Sequence, residues 1–259
     1  MHNNANALGR QKRRSFLTLL FAAGDLQRKG HQKVKLENVV PWGRTLSEYK
    51  EMFSLMSRDL DKKILGCGDG PASFNAELTA KGGNVISIDP IYQFPPSQIQ
   101  TRIEDVYPQI MEQVSKNHAD FIWENIKSVE ELGKVRMEAM NTFLRDYEDN
   151  RKSGRYINAS LPTLPFNDKE FDLALCSHYL FLYSEHVSLC EHIESMKELC
   201  RVAREVRVYP LLSISNNDES PHLNPVIEEL ERERVNASLL PVNYEFQKGA
   251  TKMLVAKSV

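Results

Sequence analysis

Residues 62–90 (KKILGCGDGPASFNAELTAKGGNVISIDP) bring glycines, a helix start and a carboxylate into one short stretch. An apolar pair, Ile64 and Leu65, runs into a loop holding Gly66, Gly68 and Gly70, and a second apolar run at 85–88 ends in Asp89. Between them, 72–81 has a helical composition that Gly82-Gly83 breaks. Glycines let backbone approach a ligand that a Cβ would exclude, and the first helical turn offers unpaired N–H groups at the same place. A carboxylate about 20 residues beyond such a loop suits a ribose diol, because it accepts from both hydroxyls. The stretch reads as one strand–loop–helix–strand unit. It is expected to hold an adenosine-containing cofactor.

A dinucleotide fingerprint requires a third glycine where this chain has Pro71, and the glycines here are spaced G-x-G-x-G instead. Further on, LPFNDKEFDLAL leads through an apolar strand at 171–176 to Ser177-His178-Tyr179. The run Leu65-Gly66-Cys67-Gly68-Asp69-Gly70 and this later block, in this order, resemble two motifs of the class I S-adenosylmethionine-dependent methyltransferases. The resemblance is dense over 62–90 and 160–185 and extends over roughly 40–259. It implies a three-layer, Rossmann-like α/β fold with a seven-stranded, mostly parallel sheet and an antiparallel C-terminal hairpin. It implies S-adenosylmethionine as cofactor, contacted by Gly66, Cys67, Gly68, Gly70, Asp89, Pro90, Ser160, Leu161, Cys176 and Ser177. Two positions depart from the family pattern. Ile64 stands where an acid usually lies near the cofactor's amino group, and Ser160 stands where an acid often meets the adenine amino group. A serine hydroxyl can still accept that second bond.

Methyl transfer from a sulfonium is an in-line displacement, so the protein chiefly aligns donor and acceptor and removes water. A base is needed only where the acceptor must lose a proton. His178 is the candidate, since imidazole titrates near neutrality and this one follows the fourth strand; the other reading is a histidine that lines the pocket or bonds to backbone. Tyr179 and Tyr183 could orient an acceptor or be core aromatics, and Trp42, Arg44 and Tyr49 are further substrate candidates on a segment that often closes over the cofactor in this family. The N/D-P-P-Y/F motif of amino-methylating nucleic-acid enzymes is absent after the fourth strand, and Cys176 lacks the proline-cysteine setting of a C5-methylating nucleophile. The expected partner is therefore a small-molecule acceptor, with no strong nucleic-acid signal. The alternative is a non-catalytic module that binds S-adenosylmethionine or S-adenosylhomocysteine as a sensor or complex subunit. Aminopropyl transfer would want acids after the fourth strand, which are not evident.

A chain of 259 residues suits one large α/β domain. The expected division is a basic extension at 1–35, with eight Lys/Arg against Asp25 alone, and a methyltransferase-like domain at 36–259. Arg13-Arg14-Ser15-Phe16-Leu17 superficially matches a twin-arginine export signal, but Asp25 and Arg28 follow a short apolar stretch at once. A docking helix or loose extension of a cytoplasmic protein is expected instead. No apolar run reaches the ~20 residues of a membrane span. The four cysteines form no C-x-x-C pair and no zinc spacing, so no metal site is expected. Between 97 and 150, Ile99, Ile103, Val106, Ile110 and Val114, then Leu132, Val135, Ala139, Phe143 and Tyr147, recur at helical spacing. This predicts a helical insertion, either core or dimer support or a lid over the acceptor pocket. Strands are expected at 155–158, 171–176 and 205–214, helices over 184–204 and 224–234, and a hairpin of 241–246 with 252–256.

Overall fold

The computed structural model describes residues 40–258; the basic extension and its twin-arginine run lie outside the described residues. The chain enters through two short helices, α1 (Leu46–Met52) and α2 (Ser57–Leu60). Thr45 caps α1 in a reciprocal box with Glu48, satisfying two otherwise orphan N–H groups. The apolar spacing across 46–56 suggests one helix, but Ser54 adopts φ 47° and splits it, leaving Met56 exposed.

Strand β1 (Lys63–Cys67), helix α3 (Phe74–Thr79) and strand β2 (Asn84–Ile88) form the expected unit. A 3-10 turn (Pro90–Gln93) leads to α4 (Pro96–Lys116), a second 3-10 turn (His118–Asp120), α5 (Val129–Asn150) and the short β3 (Tyr156–Ile157). After β4 (Phe171–Ser177) come α6 (Leu189–Val202), β5 (Ala203–Tyr209), α7 (Leu223–Arg232), β6 (Val235–Pro241) and β7 (Lys252–Ser258). The sheet order is β3-β2-β1-β4-β5-β7-β6. The first five strands in this order are parallel, and β7 runs antiparallel to both its neighbours. This is the expected seven-stranded, mostly parallel, Rossmann-like sheet with an antiparallel C-terminal hairpin.

Period-two alternation divides the strand side chains between two faces. Ile64, Leu173 and Leu175 pack beneath α1 and α3, whereas Leu65, Ala174 and Cys176 pack beneath α6 and α7. Each fully buried Leu or Ile contributes about 1.5–3 kcal/mol relative to exposure. Covering both faces explains why the central strands read as continuous apolar runs.

Several boundaries differ from the sequence expectations. β5 ends at Tyr209, because Pro210 has no N–H for the ladder, and Leu212 makes only an isolated bridge to Glu219. The final hairpin is β6 with β7, not 241–246 with 252–256; residues 242–251 are its connection. The aromatics there serve other contacts: Tyr244 donates to Glu48 at 2.8 Å, and Phe246 stacks on Phe121 at 5.0 Å. The helix expected from 184 starts at Leu189, where Ser188 and Glu191 form a capping box. The strand expected over 155–158 shortens to Tyr156–Ile157.

The insertion is helical, as its spacing requires. Ile99 and Ile103 meet Met140, Phe143 and Tyr147, while Val106, Ile110 and Val114 meet Leu132. One inward position departs from the pattern: Val135 is half-buried and Arg136 is wholly buried. Arg136 makes a bidentate pair with Glu48 of α1, both bonds 2.6 Å. Burial alone would raise the Glu48 carboxyl, but the Arg136 charge and hydrogen bonds hold it at about 2. Removing one member strands the other charge in the interior. Arg136→Leu is therefore expected to cost about 3–5 kcal/mol in urea denaturation; a loss under ~1 kcal/mol would show that the pair is not the tie it resembles.

Candidate active site

The parallel strands β1, β2 and β4 end on one side of the sheet, where their loops enclose a cavity of about 220 Å³. Crevices at the carboxyl ends of such strands, where the strand order switches, are where ligands collect. The first wall is the glycine loop. Gly68 and Gly70 have φ of 66° and 50°, a region costly for residues with a Cβ. The Gly68 N–H donates to Ile88 carbonyl at 3.0 Å, and the Gly70 N–H donates to Asp89 Oδ2 at 3.0 Å. Tyr92, just beyond Asp89, donates its hydroxyl to Gly70 carbonyl at 2.8 Å and pins the loop from the other side.

Asp89 caps the 3-10 turn after β2, accepting from Ile91 N–H at 2.9 Å. Burial pushes its carboxyl up to about 6, against the pull of these backbone donors. A Cβ built on Gly70 would lie 3.8 Å from Asp89 Oδ2, so the glycine and the acid border the same space. At Gly70 this space, with the Asp89 carboxylate as the only atom within 4 Å of a Cβ there, fits an adenosine ribose.

Asp69, the variable residue of the glycine loop, was not singled out from sequence. It is buried, accepts from Tyr49 hydroxyl at 2.7 Å and from Ser87 at 2.6 Å, and lines the cavity. Gly66 lies behind it: a Cβ there would fall 1.8 Å from Asp69 Oδ2. Gly66 therefore makes room for the Asp69 carboxylate and does not itself line the cavity. Burial raises Asp69 to about 6, moderated by Ser87 and Tyr49 and reinforced by Asp89.

At the end of β4, Ser177 and His178 turn into the cavity. His178 has φ 53°, donates its N–H to Tyr209 carbonyl at 2.8 Å, and sets Nδ1 2.9 Å from Ser177 Oγ. Burial, then the charges of Arg44 and Arg136, hold the imidazole well below its ordinary pKa of 6.5. The ring is neutral at physiological pH.

Of the residues singled out from sequence, Cys67, Gly68, Gly70, Asp89, Pro90, Ser160, Leu161, Ser177, His178, Tyr179, Tyr183, Trp42, Arg44 and Tyr49 line this cavity. Gly66 and Cys176 do not. Cys176 is fully buried and pairs in register with Cys67, one layer beneath the loops. Tyr49 has a defined structural task, stacking on Phe74 at 4.2 Å while its hydroxyl holds Asp69. The remaining wall comes from the insertion and the β6–β7 connection. Ile122 N–H donates to Phe246 carbonyl at 2.8 Å, and Lys248 N–H donates to Asp120 carbonyl at 2.9 Å. Phe121 and Phe246 line the cavity across this seam. No local pattern in the sequence marks such a pairing between segments about 125 positions apart. Among the described residues, no group of three or more His, Cys, Asp or Glu could hold a metal ion, and no helix is long and apolar enough to cross a membrane.

The raised Asp69 pKa has a measurable consequence. A carboxyl at about 6 in the fold, against 3.8 ordinarily, stabilises below 3.8 and loses that contribution as pH rises through 6. Between about pH 5 and pH 7.5, Asp69→Asn should gain about 1 kcal/mol relative to the unmodified protein. Urea denaturation at each pH checks this, and a pH-independent difference would contradict the burial of that charge.

No protein-family model matches the chain. Among solved structures, the chain is similar to magnesium protoporphyrin IX methyltransferase (ChlM) from Synechocystis, with bound SAM, at 11% identity and TM-score 0.42, over 78% of this chain and 73% of that one. It is similar to a possible histamine N-methyltransferase (TM1293) from Thermotoga maritima at 12% identity and TM-score 0.42, over 83% and 88%. Similarity to WbdD, at 12% identity and TM-score 0.44, covers 82% of this chain but spans only 40% of that longer one. Sequence similarity reaches much further: 34% identity over 227 residues, 86% of this chain and 98% of the other, with the uncharacterized protein MJ0045 of Methanocaldococcus jannaschii. With this extent of identity, the chain belongs to the same family as MJ0045.

Proposed function

We propose that the protein is an S-adenosylmethionine-dependent methyltransferase acting on a small-molecule acceptor. The observation that carries this reading is the junction of Gly70 and Asp89, a glycine cradle rimmed by a carboxylate, in one cavity with the end of β4. Gly68, Gly70 and Cys67 would hold the adenosine and thioether portion, with Asp89 accepting from the ribose hydroxyls and Ser160 and Leu161 at the adenine rim. When bound, the cofactor supplies an activated methyl group on a sulfonium.

What the chain adds is alignment and the exclusion of water. The insertion and the β6–β7 connection close the cavity opposite the glycine loop, which supports a covering role for the insertion. His178, neutral and half-buried, can accept a proton from an acceptor atom or orient it through a hydrogen bond. Tyr179, which packs against Gly68, and Tyr183 line the same cavity and could orient an acceptor.

Calorimetric titration with S-adenosylhomocysteine is expected to show micromolar binding, weakened about 100-fold by Asp89→Ala through loss of charge-assisted hydrogen bonds. Because the Asp89 carboxyl sits at about 6, binding should weaken as pH falls below 6, by up to about tenfold per unit. His178→Ala should leave this binding unchanged and lower turnover about 100-fold once an acceptor is found with labelled methyl donor. Well-folded protein that binds neither S-adenosylmethionine nor its product would sink the reading. Binding without turnover on any acceptor would favour a sensing module.

A further inference from the structure

Arg44 is the only lysine or arginine among the described residues that line the cavity. Its side chain makes one hydrogen bond, from Nη1 to Trp42 carbonyl at 3.1 Å, and its Nε is buried with no partner. Among the described residues, no carboxylate lies within 4.0 Å of it. Glu48, four positions along the chain, is already saturated: both oxygens bind Arg136 at 2.6 Å and one also accepts from Tyr244 at 2.8 Å. The backbone that carries Arg44 is fixed against the glycine loop. Gly43 packs so closely on the glycine loop that a Cβ would fall 2.1 Å from Pro71 carbonyl, and Arg44 carbonyl accepts from Ser73 N–H at 3.0 Å. Glu48 acts on this cation only from beyond ion-pair distance, and a guanidinium is the side chain best shaped for a bidentate oxyanion.

We propose that the methyl acceptor is a small apolar molecule carrying an oxyanion, a carboxylate or phosphate, and that Arg44 receives that group. The proposal rests on the methyltransferase reading. Two observations place the anion on the acceptor side. The cavity that Arg44 lines is also walled by the apolar Val40, Trp42, Leu182, Val187 and Phe246. After burial, Arg44 is the largest influence depressing the His178 imidazole, and it also tempers the burial-raised Tyr183 hydroxyl. The influences on Asp69 and Asp89, at the cofactor end, do not include it. Arg44 also acts on Tyr49, which holds Asp69, so its charge is felt along the cavity, including at His178, where the acceptor would meet the methyl group. Burial and repulsion from Arg136 lower its own pKa, so an incoming anion would relieve an unfavourable charge.

The test has two arms, both on the full chain with Arg44→Gln and Arg44→Lys. In the first, S-adenosylhomocysteine and 5′-methylthioadenosine, which lacks the amino-acid moiety, are titrated by calorimetry. Equal affinities in all three proteins are expected. Selective loss of S-adenosylhomocysteine binding in Arg44→Gln would assign Arg44 to the cofactor's carboxylate and overturn the proposal. Failure of unmodified protein to bind either nucleoside would instead remove the methyltransferase reading beneath it. In the second arm, protein saturated with S-adenosylhomocysteine is titrated with benzoate, 2-naphthoate and octanoate, each beside its primary amide. At least one acid should bind about tenfold tighter than its amide, a preference lost in Arg44→Gln and partly kept in Arg44→Lys. An equal or better amide in all three pairs, no binding by any acid, or a preference surviving Arg44→Gln, would overturn it. Thermal melts of the variants show that they are folded.

Discussion

The pair of Glu48 with Arg136 is the constraint on which the cavity wall depends. It joins α1, which precedes the sheet, to α5 of the insertion, and Tyr244 adds the β6–β7 connection to the same carboxylate. Three segments distant in sequence therefore meet at one ion pair, above the carboxyl ends of the strands. Two charges withdrawn from water cost several kcal/mol each, and this is offset only when every oxygen is satisfied. Glu48 meets that condition, with two arginine bonds, the Tyr244 hydroxyl and the Thr45 cap. The arrangement gives little freedom to α1, and so to Trp42 and Arg44 just ahead of it.

The charges around the cavity are distributed in a definite way. Two carboxylates, Asp69 and Asp89, stand at the end of β1 and β2 without a cation, and burial raises both to about 6. One guanidinium, Arg44, lines the same cavity with no carboxylate within 4.0 Å among the described residues. An apolar cavity with separated, uncompensated charges is poorly arranged for itself and well arranged for ligands of complementary charge. A sulfonium donor and an anionic acceptor would each meet a group of opposite sign. Ile64, in the position where an acid is usual, is fully buried in the core beneath α1 and α3, so the acid nearest that end of the loop is Asp69, held by Tyr49 and Ser87.

Much of this architecture was legible in the chain. The spacing of Gly66, Gly68, Gly70 and Asp89 is a local property of one strand–loop–helix–strand unit, and local geometry follows from local residue types. The helical repeats of the insertion were equally visible, since Ile99, Ile103, Val106, Ile110 and Val114 all turn inward. Errors clustered where a residue's partner lies far away. Tyr244 and Phe246 have strand-like composition, yet they leave the sheet to reach Glu48 and Phe121. Arg136 interrupts an apolar face because its counterion lies on another helix. Gly66 and Cys176 belong to motifs that surround the cavity, but Gly66 lies behind the Asp69 carboxylate and Cys176 is fully buried.

The sequence alone determined the fold class, the glycine loop and the acid after the second strand, because each depends on backbone freedom and short-range periodicity. Only the tertiary structure decided which side chains share the cavity, that Asp69 is buried against Gly66, and that Arg44 lines the cavity with no carboxylate within 4.0 Å among the described residues. Those are properties of packing between distant segments, and no window of neighbouring residues contains them.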